Sequence, residues 1–110
     1  MIHDALQKYG VEFSHEKSFE DLRGISGRKL RFDFAVYRDG TLVGLIEHQG
    51  QQHYWPVFIQ NKEYGRRQRE ETDQQKREYC AAKQIPLFEI RYDDDIDASV
   101  RNIITQLHLI

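Results

Sequence analysis

Acidic residues and histidines crowd the most strand-like part of this chain. The segment 31–54 reads RFDFAVYRDGTLVGLIEHQGQQHY. Asp33 lies inside one apolar run, Glu47 ends the next, and His48, Gln49 and His53 follow. Two carboxylates on one face of a hairpin resist joint ionisation. A divalent cation removes that conflict, and magnesium is commonly held by one or two carboxylates plus a substrate phosphate. Such an ion polarises a phosphodiester and lowers the pKa of an attacking water. His53, just past the sheet end, could reach back over the Asp33 face as a general acid or base. Plainer readings stay open on the residues alone. Asp33 could pair with Arg31 or Arg91, Glu47 could be a strand end in water, and His53 could be a surface loop residue. His48 should point opposite to Glu47 and ranks below His53.

Other residues carry weaker signals. Asp73 has Lys76 at i+3 and Arg77 at i+4, a common surface ion-pair arrangement on a helix. Cys80 is the one cysteine. It has no paired motif and should pack as a small apolar group. Two basic runs, Arg23, Arg28, Lys29, Arg31 and Arg66, Arg67, Arg69, could meet phosphates or be solvated faces balanced by nearby acids. The formal net charge of −2 argues against nucleic-acid binding by charge alone.

The elements that must position these residues follow from periodicity. Ile2, Ala5, Leu6 and Tyr9 fall at helical spacing, with Gly10 as a stop. Residues 11–19 read as extended, and 21–28 as a loop with two glycines. Leu30, Phe32, Phe34 and Val36 alternate, which predicts a strand with one buried face. Arg38-Asp39-Gly40 is a turn, and 41–47 is the next strand. A three-residue turn would pair Tyr37 with Thr41 and Asp33 with Leu45, leaving Glu47 one diagonal step away on the Asp33 face. A two-residue turn would put the carboxylates on opposite faces, so a shared site demands the longer turn. Residues 50–65 are irregular, and 66–83 form a surface helix with Tyr79, Cys80 and Ala82 inward. Pro86 opens a strand, PLFEIRY. Asp95 or Asp97 can cap a last helix whose buried stripe is Ile96, Val100, Ile103, Ile104 and Leu107. The order is α-β-β-β-α-β-α, an α/β (α+β) mixed sheet flanked by helices, expected as a single domain over 1–110.

Composition bounds the rest. Hydrophobic content is 39% and charged content 31%, ordinary to charge-rich for one folded domain. No run of ~18 apolar residues occurs, so no membrane partner is expected. A single cysteine fits a reducing compartment, and a cytoplasmic location is expected. There is no Gly-rich phosphate loop, nucleophile elbow, dinucleotide fingerprint or zinc-finger spacing.

Taken together, the positions resemble the PD-(D/E)xK nuclease superfamily. The nearer likeness is to the branch of very-short-patch repair endonucleases and phage-type homing endonucleases with the catalytic pattern E-D-x-H-D. That branch tends to read E-x-S-F-x-D-L-R, R-F-D-F, I-E-x-x-G-x-Q-H-F, D-x-x-K-x-x-Y-C and I-x-L-x-x-I-x-Y. Here stand EKSFEDLR (16–23), RFDF (31–34), IEHQGQQHY (46–54), DQQKREYC (73–80) and IPLFEIRY (85–92). The resemblance implies a restriction-endonuclease-like fold and a metal-dependent DNA endonuclease that hydrolyses phosphodiesters with Mg²⁺ or Mn²⁺. It implies Asp33 as central metal ligand, with Glu47 in the second carboxylate position. Glu16 would be the acid from the N-terminal segment. His53 would act in acid–base chemistry or hold the attacking water, and Asp73 would support His53 or a water of the metal. Gln49 stands where relatives carry an acid or a lysine, and could donate to the scissile phosphate. Arg23, Arg28, Lys29, Arg66 and Arg67 would position DNA phosphates, and Trp55 could stack on or wedge between bases, or simply cover the core. Two further expectations accompany this reading. One is a homodimer or larger nuclease complex, for example in phage DNA processing. The other is a non-catalytic domain that keeps the fold and binds nucleic acid or a partner.

Overall fold

The computed structural model describes residues 1–24, 27–49 and 62–109, with the backbone alone described over 62–69. The elements are α1 (Ile2–Lys8), β1 (Glu12–Arg23), β2 (Lys29–Arg38), β3 (Thr41–Gln49), α2 (Lys62–Lys83), β4 (Leu87–Arg91) and α3 (Ile96–Gln106). The expected order α-β-β-β-α-β-α is therefore present. The sheet runs β1-β2-β3-β4, antiparallel across the first two pairings and parallel between β3 and β4. A parallel neighbour requires a crossover, and α2 supplies it.

Both faces of the sheet are covered, which corrects the expectation of one buried face. Val36, Ile46 and Ile90 pack with Ile2, Ala5, Leu6, Val100, Ile103 and Ile104, so α1 and α3 cover one side. Ala35 and Leu45 pack with Leu22, Phe32 and Cys80, so α2 covers the other. Leu30 and Phe32 join the α2-side cluster, while Phe34 and Val36 lie against the α1–α3 cluster. The alternation in β2 therefore breaks between Phe32 and Phe34, at Asp33. A strand buried on both faces yields a denser apolar run than a half-exposed one. The run Phe32–Val36 fits either reading by composition.

The hairpin also departs from expectation. Arg38 pairs with Thr41, leaving a two-residue turn at Asp39 and Gly40. Both have positive φ, 50° and 79°, as the tight I′ hairpin turn demands. Tyr37 pairs with Leu42, but Val36 pairs with Gly44, so Val43 is an extra residue in β3. This β-bulge advances the register by one and restores the parity that the short turn would have lost. Beyond it Ala35 faces Leu45 and Phe34 faces Ile46.

Other boundaries differ in detail. β1 runs on to Arg23, through part of the expected loop, and pairs Arg23 with Lys29 across an irregularity. Helix α2 begins at Lys62, so Gly65 lies inside it. Ala82, expected inward, is exposed. Asp95 caps α3, its carboxylate accepting from the Ala98 N–H at 3.1 Å. Asp97 instead accepts from Lys8 Nζ at 3.0 Å and Tyr9 OH at 2.8 Å, joining α3 to α1. Among the described residues, no helix is long and apolar enough to cross a membrane.

Candidate functional site

The paired ladder of the hairpin ends at Phe34 and Ile46, so Asp33 and Glu47 are the next residues along β2 and β3. Glu47 alternates with Leu45, which places it on the face covered by α2. The ladder changes character at this point. The backbone N–H of His48 donates to Asp33 Oδ2 at 2.7 Å, a side chain taking a bond that a backbone carbonyl would accept in a regular ladder. Asp33 is thus oriented by β3 while belonging to β2, and its other oxygen takes no part in that bond.

Helix α2 brings the remaining charges. Cys80 is buried against the sheet at 2% exposure. Positions 76 and 73 lie four and seven residues earlier, on the same helical stripe. Lys76 Nζ accordingly donates to Glu47 Oε1 at 2.9 Å, with the two side chains only 12% and 11% exposed. The same ammonium lies 5.3 Å from the Phe32 ring centroid, within cation–π range. The surface ion pair expected within α2 is therefore not what Lys76 makes. Arg77 also reaches to the sheet, its guanidinium donating to Glu89 Oε1 at 3.0 and 3.2 Å.

Burial dominates the electrostatics of Glu47. Its carboxyl is pushed up to about 7, first by removal from water, against the pull of the Lys76 charge and hydrogen bond. Asp33 and Asp73 push in the same direction as burial. The charges of Asp33 on β2 and Asp73 on α2 thus reach Glu47 on β3, each less strongly than burial or Lys76. The plainer reading of Glu47 as a strand end in water is excluded by its burial. Arg31 has Glu16 as its ion partner, at 3.7 Å, and Arg91 has Asp93, at 3.1 Å.

The other expected site residues fall into three groups. Glu16 lies on β1 between His15, which pairs with Phe34, and Lys17, which pairs with Phe32. That places it opposite Asp33. Its φ is +54°, an uncommon conformation for a residue with a side chain. Its carboxylate is largely exposed near Arg31 and is not among the charges acting on Glu47. Gln49 is buried at 6% exposure, and its Nε2 donates to Glu89 Oε1 at 3.2 Å. The amide donor expected to meet phosphate is engaged with Glu89.

The basic residues near the β1–β2 connection are committed locally. Arg23 donates to the Gly27 carbonyl at 2.9 Å and the Glu20 carbonyl at 3.2 Å, closing that connection. Lys29 donates to Glu20 at 2.5 Å, and this bond holds the Glu20 carboxyl below its ordinary range. Arg28 is exposed. His53 and Trp55 lie outside the described residues, as do the side chains of Arg66 and Arg67.

The rest of α2 is anchored to β1. Tyr79 OH donates to Asp21 Oδ1 at 2.7 Å, Lys83 pairs with Asp21 at 3.2 Å, and Gln75 Nε2 donates to the Arg23 carbonyl at 3.3 Å. Burial, then Asp21, pushes the Tyr79 hydroxyl up to about 12. Tyr79 also packs on Phe19, with ring centroids 5.2 Å apart. These ties fix the rotation of α2 and hence the direction of Lys76 and Asp73. Lys76, Arg77, Glu89 and the His48 amide are the residues that sequence reasoning missed. Two signals for Lys76 were its i−4 relation to Cys80 and its place in the D-x-x-K-x-x-Y-C pattern. Comparison with protein-family models, curated proteins and solved structures returned no match.

Proposed function

We propose that this chain is a metal-dependent DNA endonuclease domain with a restriction-endonuclease-like fold. The observation that supports the reading is the placing of Asp33 and Glu47 at one end of the β2–β3 hairpin, where Asp33 accepts the His48 N–H at 2.7 Å and the buried Glu47 meets Lys76 at 2.9 Å. Sites held on strands and helices are positioned more tightly than sites on loops. Asp33 and Glu47 offer carboxylate oxygens, the donors a hard divalent cation takes, while among the described residues no group of three or more acidic, histidine or cysteine side chains is placed to hold one. Asp33 and Glu47 would hold Mg²⁺ or Mn²⁺, which when bound supplies Lewis-acid activation of a phosphodiester.

The chain's own residues carry the remaining roles. The His48 N–H holds the Asp33 carboxylate in one orientation. Asp73, on the inward stripe of α2, adds negative charge near the same centre and is a candidate partner for His53. His53 is the proposed general base, taking a proton from the attacking water. Glu16, opposite Asp33, is the fourth acid. Arg28, Arg66 and Arg67 are the basic residues proposed to bind DNA phosphates without reading sequence. A second reading, a non-catalytic nucleic-acid- or partner-binding domain, is favoured by the engagement of Gln49 with Glu89.

The test is cleavage of supercoiled plasmid and of single-stranded DNA with Mg²⁺, Mn²⁺ or EDTA. Wild type runs beside Asp33→Ala and His53→Ala, each confirmed folded. Metal-dependent nicking or linearisation that both variants lose is the expected result. DNA binding that survives in EDTA, with no cleavage by wild type under any condition, would establish the second reading. Cleavage that rises with the square of protein concentration would identify a dimer as the working form.

A further inference from the structure

We propose that the hydrogen-bonded pair His3–His15 is a pH-sensitive latch between α1 and β1, closed while at least one of the two rings is neutral and opened when both are charged. Neither ring is among the site residues proposed above.

The geometry supports it. His3 lies in the first turn of α1, next to the buried Ile2, and His15 lies on β1, where it pairs with Phe34 of β2. His3 Nδ1 and His15 Nε2 are 2.7 Å apart, and the ring centroids are 4.8 Å apart with the planes tilted by 27°. Apolar rings flank the pair. Phe13 lies 5.2 Å from His3 and 5.7 Å from His15, and Phe34 lies 4.9 Å from His15, centroid to centroid. The charged groups of the surrounding elements are engaged elsewhere. On α1, Asp4 pairs with the Met1 amino group at 3.1 Å, and Lys8 pairs with Asp97 of α3 at 3.0 Å, with Arg101 beside them. On β1, Glu16 pairs with Arg31 at 3.7 Å and Lys17 lies over the Phe19 ring. Glu12 alternates to the other side of the strand from Phe13. On β2, Asp33 accepts the His48 N–H. Among the described residues, no carboxylate is bonded to either imidazole to offset a second positive charge.

A hydrogen bond between two imidazoles needs one N–H and one bare nitrogen. Two neutral rings meet this requirement. So do one neutral and one charged ring, whose bond is the stronger for its charge. Two charged rings do not, because both facing nitrogens then carry hydrogen and like charges oppose each other across the same gap. The closed latch therefore holds one added proton, whereas the open rings take two. Acid favours the form that binds more protons, so the latch opens as pH falls below the ordinary histidine value of about 6.5. Opening frees the first turn of α1, where the Ala5 N–H donates to the Met1 carbonyl at 3.0 Å. The release is local, since Leu6 keeps the rest of the helix in the core.

Amide hydrogen exchange of the whole chain gives the test, followed by NMR from pH 7.5 to 5 and corrected for the intrinsic pH dependence of exchange. Protection of the Ala5 amide in wild type should fall about fivefold or more across that range, since two unit charges about 4 Å apart in bulk water already repel by about that factor. His3→Gln and His15→Gln should each abolish the fall, because an amide side chain offers both a donor and an acceptor at any pH. Both variants keep His48, His53 and His108, so a response from those residues would survive in them. Protection at the buried Ile46 and Ile90 confirms that each variant is folded. Ala5 protection that stays level in wild type would overturn the proposal. So would a fall that persists in either variant.

Discussion

Replacing Glu47 by glutamine should stabilise the metal-free protein at alkaline pH, although it removes one partner of an enclosed ion pair. The carboxyl is pushed up from 4.5 to about 7 in the folded chain. A raised carboxyl favours folding while it is protonated. The stability it contributes is fully present below pH 4.5 and is lost as pH rises toward about 7, because the unfolded chain gives up its proton first. Each tenfold change in proton affinity corresponds to about 1.4 kcal/mol, so a carboxyl raised from 4.5 to about 7 contributes about 3 kcal/mol at most. Glutamine mimics the protonated carboxyl in shape and does not titrate. Urea unfolding in EDTA, from pH 4.5 to 8.5, should therefore find Glu47→Gln close to wild type at the acid end. It should be more stable by about 2–3 kcal/mol at the alkaline end, where only wild type has lost stability. Added Mg²⁺ should narrow the gap by stabilising wild type alone. A stability difference that does not change with pH would refute the reasoning. So would a variant that becomes less stable than wild type as pH rises. Either result would mean that the Lys76 pairing outweighs burial.

Other perturbations test the frame around the site. Glu16→Gly should relieve the positive φ at Glu16 and raise stability by roughly 1 kcal/mol in urea unfolding, while lowering cleavage if Glu16 serves the reaction. Asp95→Ala removes the side-chain cap on Ala98 N–H and should cost about 1 kcal/mol, read in the same assay. Ile104 is fully buried on the inner side of α3, so Ile104→Ala should cost about 2–5 kcal/mol by leaving a cavity, with cleavage unaffected at temperatures where the variant stays folded.

The hairpin shows where sequence pattern sufficed and where it did not. Asp39-Gly40 carries the strongest short-range signal for a two-residue turn, and the structure has that turn. In a regular hairpin, a shared face for Asp33 and Glu47 requires a three-residue turn instead. The structure keeps the short turn and places an extra residue, Val43, as a bulge inside the strand. Nothing in T-L-V-G-L-I marks Val43 as the extra residue. A bulge is set by packing on both sides, here with Gly44 lying close to Leu107 and Phe88. Turn chemistry is local and legible; register correction depends on distant partners.

In helix α2 the spacing of residues holds more than its polar composition suggests. Placing Cys80 inward already commits positions 76 and 73 to the same stripe, because side chains four and seven residues apart line one face of a helix. Charged residues on an inward stripe need partners, and the only elements available to α2 are the strands it crosses. Their polar residues at that end of the sheet are Asp33, Glu47, Gln49 and Glu89. Lys76 taking Glu47 and Arg77 taking Glu89 then follows from charge. Sequence could not say which acid each base would choose, since that depends on the rotation of α2, set by Tyr79 and Lys83 at Asp21. A helix read as surface because it is polar can therefore be a polar lid over a charged sheet end. The physical distinction lies in one buried small residue, Cys80, at 2% exposure in a helix otherwise composed for water.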